Sequence, residues 1–133
     1  AQELARKGYA FSRTVQELVR RGVDRELAQE AAREAEQQRQ DQVKAFVDGV
    51  AENERVAKRT ADRALNRGLI TEEQYLATIA DTANRYRSYA EEVLQLAYMT
   101  EEEKQKYHKE YIEKAEDADD EYLAYFKKTN KEQ

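Results

Sequence analysis

Apolar positions along this chain recur at three- and four-residue steps, the spacing that lines up side chains on one face of a helix. From Leu4 they fall at Phe11, Val15, Leu18 and Val19, a stripe interrupted by Gly8 and stopped by Arg20-Arg21-Gly22. Gly22 is placed for the left-handed conformation that closes a helix, Val23 to fold back onto it, and Asp24 to accept from the free amides of the next. The same grammar returns about 46 residues later at Asn66-Arg67-Gly68-Leu69-Ile70, where Thr71-Glu72-Glu73-Gln74 spells a capping box. A third box, Thr100 to Glu103, has no Gly before it, so the last two helices are either separate or one kinked rod. The spacing predicts one domain over residues 1–133, with helices over about 2–21, 25–67, 72–99 and 101–129.

The third helix carries the cleanest seam, Leu76, Ile79, Ala83, Tyr86, Ala90, Val93 and Ala97, in alternating steps of three and four. A parallel line of Tyr75, Thr82, Tyr89 and Leu96 widens that face, so more than two helices are expected to meet there. The fourth helix keeps the rhythm through His108, Tyr111, Ala115, Ala118, Tyr122 and Tyr125, broadened by Ile112, Leu123 and Phe126. The second helix is uneven. Leu27, Ala31, Ala32 and Ala35 lead into Glu36–Gln42, which has no apolar stripe and is either a solvent-spanning rod or a break. Beyond it Val43, Val47, Val50, Ala57, Ala61 and Ala64 form a thin seam with Glu54 as its polar exception, and Gly49 permits either close helix approach or a kink.

Composition supports the periodicity. Of 133 residues twenty are Ala and nine Tyr, whereas Leu, Ile, Val and Phe together number 23, and there is no Pro and no Cys. Ala, Glu, Arg, Gln and Lys predominate, as in long helices and coiled coils, so the expected class is all-α: an elongated antiparallel helical hairpin or bundle with coiled-coil seams and three to four long helices. No run approaches the ~20 apolar residues that span a bilayer, so a soluble protein without a membrane span is expected. Net charge is −5, divided unequally: +2 up to Ile70 and −7 from Thr71 onward. Basic helices are therefore expected to lie against acidic ones, within a chain or between chains, so that homo-oligomers with protein partners are anticipated.

Candidate chemistry is sparse. His108 is the only histidine, so sites built on two or three histidines cannot form in one chain, and Gln105 stands where a Glu-x-x-His di-iron motif needs Glu. Ser12 and Ser88 have no histidine nearby in sequence. The acidic run Glu116–Glu121 lacks the glycine of a calcium loop, and no Gly-rich phosphate cradle exists. No catalytic, metal or cofactor-binding residues are assigned and the chain is read as non-enzymatic. Arg55, Arg59, Arg63 and Arg67 recur every four residues, with Lys58 alongside, a stripe that could track a phosphate backbone; Glu52, Glu54 and Asp62 among them favour a solvated or ion-paired face. Tyr86, Tyr111, Tyr122 and Tyr125 suit boundary packing or an adhesive stripe for a partner helix.

The run Ala64-Leu65-Asn66-Arg67-Gly68-Leu69-Ile70-Thr71-Glu72-Glu73-Gln74-Tyr75, between two long helices, resembles the helix-Gly-Leu-Ile-cap-Tyr junctions of tailed-phage tape-measure and internal virion proteins. The resemblance covers mainly residues 43–98 and implies a virion-associated structural component, of the kind that occupies the tail lumen and leaves during DNA ejection. Ile70-Thr71-Glu72-Glu73-Gln74 is also similar to the Leu-Thr-x-x-Gln signature of small periplasmic helical chaperones of the Spy type, with Ile70 in place of Leu and the second box ending in Glu103 instead of Gln. The leading expectation is a structural or interaction module that self-associates through its seams. A helical chaperone and a nucleic-acid-associated protein using Arg55, Arg59 and Arg63 are the alternatives.

Overall fold

The computed structural model describes residues 7–22 and 24–131. They form four helices, α1 (Lys7–Arg20), α2 (Arg25–Asn66), α3 (Glu72–Val93) and α4 (Glu101–Lys131), and among the described residues there is no strand. The chain is an all-α helical bundle. The expected start of the first helix over residues 2–6 and the fold-back of Val23 lie outside the described residues.

Each corner is closed by local hydrogen bonds of its own residues. Gly22 and Gly68 take positive φ, 90° and 70°. At the second corner the Leu69 amide donates to the Ala64 carbonyl at 2.8 Å and the Gly68 amide to that of Leu65 at 3.0 Å, the paired bonds that terminate a helix on a left-handed residue. Asp24 accepts from the Glu26 and Leu27 amides at the start of α2. Thr71 and Gln74 exchange reciprocal bonds of 3.0 and 2.8 Å at the start of α3, and Thr100 and Glu103 do the same at 3.1 and 2.9 Å before α4.

Three expectations need correction or resolution. The third helix ends at Val93 and not at 99: the Leu94, Gln95 and Leu96 amides each donate to a carbonyl three residues back, tightening the chain into a turn that buries Met99. Ala97 therefore leaves the seam and is exposed. The kinked-rod alternative falls too, because α3 and α4 fold back on each other as antiparallel neighbours: His108 Nδ1 bonds the Ala90 carbonyl at 2.9 Å, and Tyr75 lies against Tyr125. Residues 36–42, finally, continue α2 as unbroken helix, as does Gly49, where an added Cβ would meet nothing within 4 Å, so the glycine serves no close approach.

Two clusters of buried residues form on α2. Near its start Val15 of α1 packs with Ala28 and Ala32, flanked by Phe11, Leu18 and Val19. Farther along, Val43 and Val50 meet Ala90, Val93, Met99 and Tyr111, with Phe46, Tyr86, Tyr89 and Tyr107 around them. Between the clusters Arg39 braces α2 to the α3–α4 turn, donating to Glu103 at 2.6 Å, to the Tyr98 carbonyl at 2.9 Å and to Glu36 at 2.9 Å. The polar stretch that lacks an apolar stripe is thus held by a charge-assisted network instead. At ~1.5 Å per residue α2 runs about 63 Å, longer than either cluster it serves.

Candidate functional site

The helices are not evenly spaced. Buried alanines on α3 (Ala83, Ala90) and α4 (Ala115, Ala118) let those two helices approach closely, whereas α2 meets α3 more sparsely and reaches α4 only through side chains. At the Val43–Val50 level tyrosines fill the gap: the Tyr111 ring lies 6.0–6.3 Å from those of Tyr86, Tyr89 and Tyr107. Beyond Glu54 the wall offered by α2 is Ala57, Ala61 and Ala64, too small to fill the same space. A cleft of about 1090 Å³ opens there between α2 and the α3–α4 pair, lined by those alanines, by Val47, Val50, Ile79 and Tyr111, and by charged side chains of all three helices, among them Arg59, Arg63, Asp81, Lys114 and Asp117.

Long polar side chains span the cleft and set its width. Glu54, only 7% exposed, accepts from Arg85 at 2.7 and 2.8 Å and from the Tyr89 hydroxyl at 2.8 Å. Burial pushes its carboxyl up, but the guanidinium and the phenol outweigh that and hold it below the usual carboxylate range. Toward the other end the Tyr75 hydroxyl donates to Asp62 at 2.5 Å, and Lys58 lies 3.6 Å from both Asp62 and Glu121. Tyr111 is 2% exposed, and its hydroxyl has no hydrogen-bond partner among the described residues. Burial pushes its phenol well above the ordinary tyrosine range, so it stays protonated and remains a donor.

The sequence-derived seam is largely internal to the chain. Leu76, Ile79, Ala83, Ala90, Val93 and Tyr111 are buried, and Tyr86, Tyr122 and Tyr125 half-buried, Tyr125 against Tyr75 and Tyr122 stacked on Phe126. Of the basic stripe, Arg55 is bound to Glu52 and Lys58 to acids on two helices, while Arg59, Arg63 and Arg67 stand exposed. What periodicity missed is the set of apolar side chains left uncovered: Leu123 is 52% and Phe126 41% exposed near the C-terminal end of α4, Leu69 72% exposed in the second corner, and Val56 and Leu27, the latter expected in the α2 stripe, are exposed on α2. Leu123 and Phe126 had registered only as a broadening of the α4 stripe, one wider than a single neighbouring helix can cover.

Among the described residues no group of His, Cys, Asp and Glu is placed to hold a metal, and no helix is long and apolar enough to cross a membrane. Comparison with protein families, with curated proteins and with solved structures returned no match.

Proposed function

We propose that this chain is a non-enzymatic helical assembly module, a strut that joins further copies of itself through the uncovered face of α4 around Leu123 and Phe126. One observation carries the reading: the periodic seam is used up inside the chain, yet Leu123 and Phe126 remain uncovered three residues apart on one helix face. Neighbouring apolar residues at that spacing are the ordinary anchors for a partner helix. The exposed acidic residue beside them, Asp120, complements the exposed Arg59, Arg63 and Arg67 of another copy, while Asp119 is held by Arg87 of its own chain. Such a strut suits an assembly component, of which a phage virion part is one setting.

Sedimentation velocity tests this. The wild-type chain is expected to associate with rising concentration, and Leu123→Glu with Phe126→Glu to remain monomeric with unchanged helicity. A wild-type chain that stays monomeric at every concentration contradicts the proposal. A second reading, a client-holding chaperone, is favoured by the apolar cleft between charged helices; stoichiometric suppression of aggregation by the monomeric double variant would support it.

A further inference from the structure

The cleft itself goes beyond the assembly role. We propose that it is a binding site for a neutral, elongated, apolar molecule bearing one oxygen acceptor, such as a ketone, ester or alcohol, which accepts the hydrogen of the Tyr111 hydroxyl. Its volume, about 1090 Å³, is at the upper end of the range of small-molecule pockets, which in helical proteins form between the helices of a bundle. Its lining along α2 extends from Val47 to Ala64, about 26 Å at ~1.5 Å per residue, so a long occupant fits better than a compact one. Apolar atoms, including those of Val47, Val50, Ala57, Ala61 and Ile79, provide most of the contact surface, within a lining that also carries many charged side chains, so a guest with a largely apolar body matches it.

Tyr111 supplies the second, independent observation. A hydroxyl that is buried without a partner is an anomaly in a folded protein, and a ligand oxygen removes it once a small shift of the Tyr111 ring brings the hydroxyl to the cleft surface. The charge on that oxygen follows from the neighbours. Glu110 adjoins Tyr111 and also lines the cleft, as does Glu54, whose carboxylate already occupies the Arg85 guanidinium. The cations Arg59, Arg63 and Lys114 also line the cleft but are exposed, whereas Glu54 is buried and Glu110 half-buried, so a carboxylate or phosphate beside Tyr111 would meet acids first and an uncharged oxygen is tolerated better.

Nile red, a neutral elongated dye with a ketone oxygen, is the probe. Fluorescence titration is done on the Leu123→Glu, Phe126→Glu background, so that dye on the exposed α4 end does not contribute and failure of the assembly reading leaves the measurement intact. Saturable binding of one dye per chain with blue-shifted emission is expected. Tyr111→Phe should weaken it about fivefold, the worth of one neutral hydrogen bond, with the circular dichroism spectrum preserved. Ala61→Trp should abolish binding by filling the cleft, and the milder Ala61→Leu should weaken it. No saturable binding, or binding unchanged in both Ala61 variants, overturns the site. Undiminished binding by Tyr111→Phe overturns the oxygen contact, and tighter binding of the anionic dye 1-anilinonaphthalene-8-sulfonate overturns the neutrality of the ligand.

Discussion

Glu54 stands where the α2 seam calls for an apolar residue, and its neighbours show why a carboxylate is tolerated there: Arg85 approaches with two nitrogens and Tyr89 with its hydroxyl. Removing the guanidinium leaves a buried anion with one partner. Arg85→Ala should cost about 2–3 kcal/mol, less than a fully buried pair because the Arg85 side chain is 39% exposed. Chemical denaturation measures it, and a loss below about 0.5 kcal/mol would mean that solvent already screens the pair. The pH dependence follows from the lowered Glu54 carboxyl: its contribution is complete above the ordinary carboxylate value of about 4.3 and disappears as pH falls through the lower folded value. Arg85→Ala should therefore flatten the acid limb of the stability profile. At Tyr111 the sign reverses, since deleting an unpartnered buried hydroxyl removes a penalty. Tyr111→Phe should raise the unfolding free energy of the ligand-free chain by about 1 kcal/mol, and a loss of that size would show that the hydroxyl is hydrogen-bonded in solution. Sequence marked Glu54 as an exception and Tyr111 as a seam residue, but the partners of Glu54 lie 31 and 35 positions away and the isolation of Tyr111 depends on neighbouring helices.

Among the elements, local chemistry decided most boundaries. Gly22, Asp24, Gly68, Thr71 and Thr100 all perform the end-capping their spacing predicts, because a cap needs only residues within one turn of it. The two helical glycine questions separate cleanly. Gly68 at φ 70° should resist substitution, Gly68→Ala costing about 1–2 kcal/mol, whereas Gly49→Ala, inside α2 with open space around it, should stabilise by up to ~1 kcal/mol. Thermal melts of the two variants should move in opposite directions, and a destabilised Gly49→Ala would reveal a bend that needs the glycine. The end of α3 was illegible for a complementary reason. The 3-4 periodicity runs on through Ala97, and nothing in the sequence near 94 is a helix breaker; the stop comes from burying Met99 and from Arg39, 59 positions away from the Tyr98 carbonyl it holds.

For the molecule as a whole, two buried clusters on one long helix imply uneven stability. Val15→Ala should cost about 1.5 kcal/mol in burial and accelerate hydrogen exchange in α1 and the first turns of α2 alone, while Val93→Ala should loosen α2, α3 and α4 together. Equal loosening of both ends by either variant would mean that α2 transmits the disturbance and that the two clusters unfold as one. Helical class and the first two corners follow from composition and spacing, since helix periodicity and caps are properties of neighbours along the chain. Tertiary structure alone decided that the seam closes within the chain, that alanines beyond Glu54 leave a cleft where tyrosines nearer the turn fill one, and that Leu123 and Phe126 stay uncovered. Those outcomes depend on how far apart three helices stand, a distance set jointly by side chains remote in sequence and invisible to any one stretch of it.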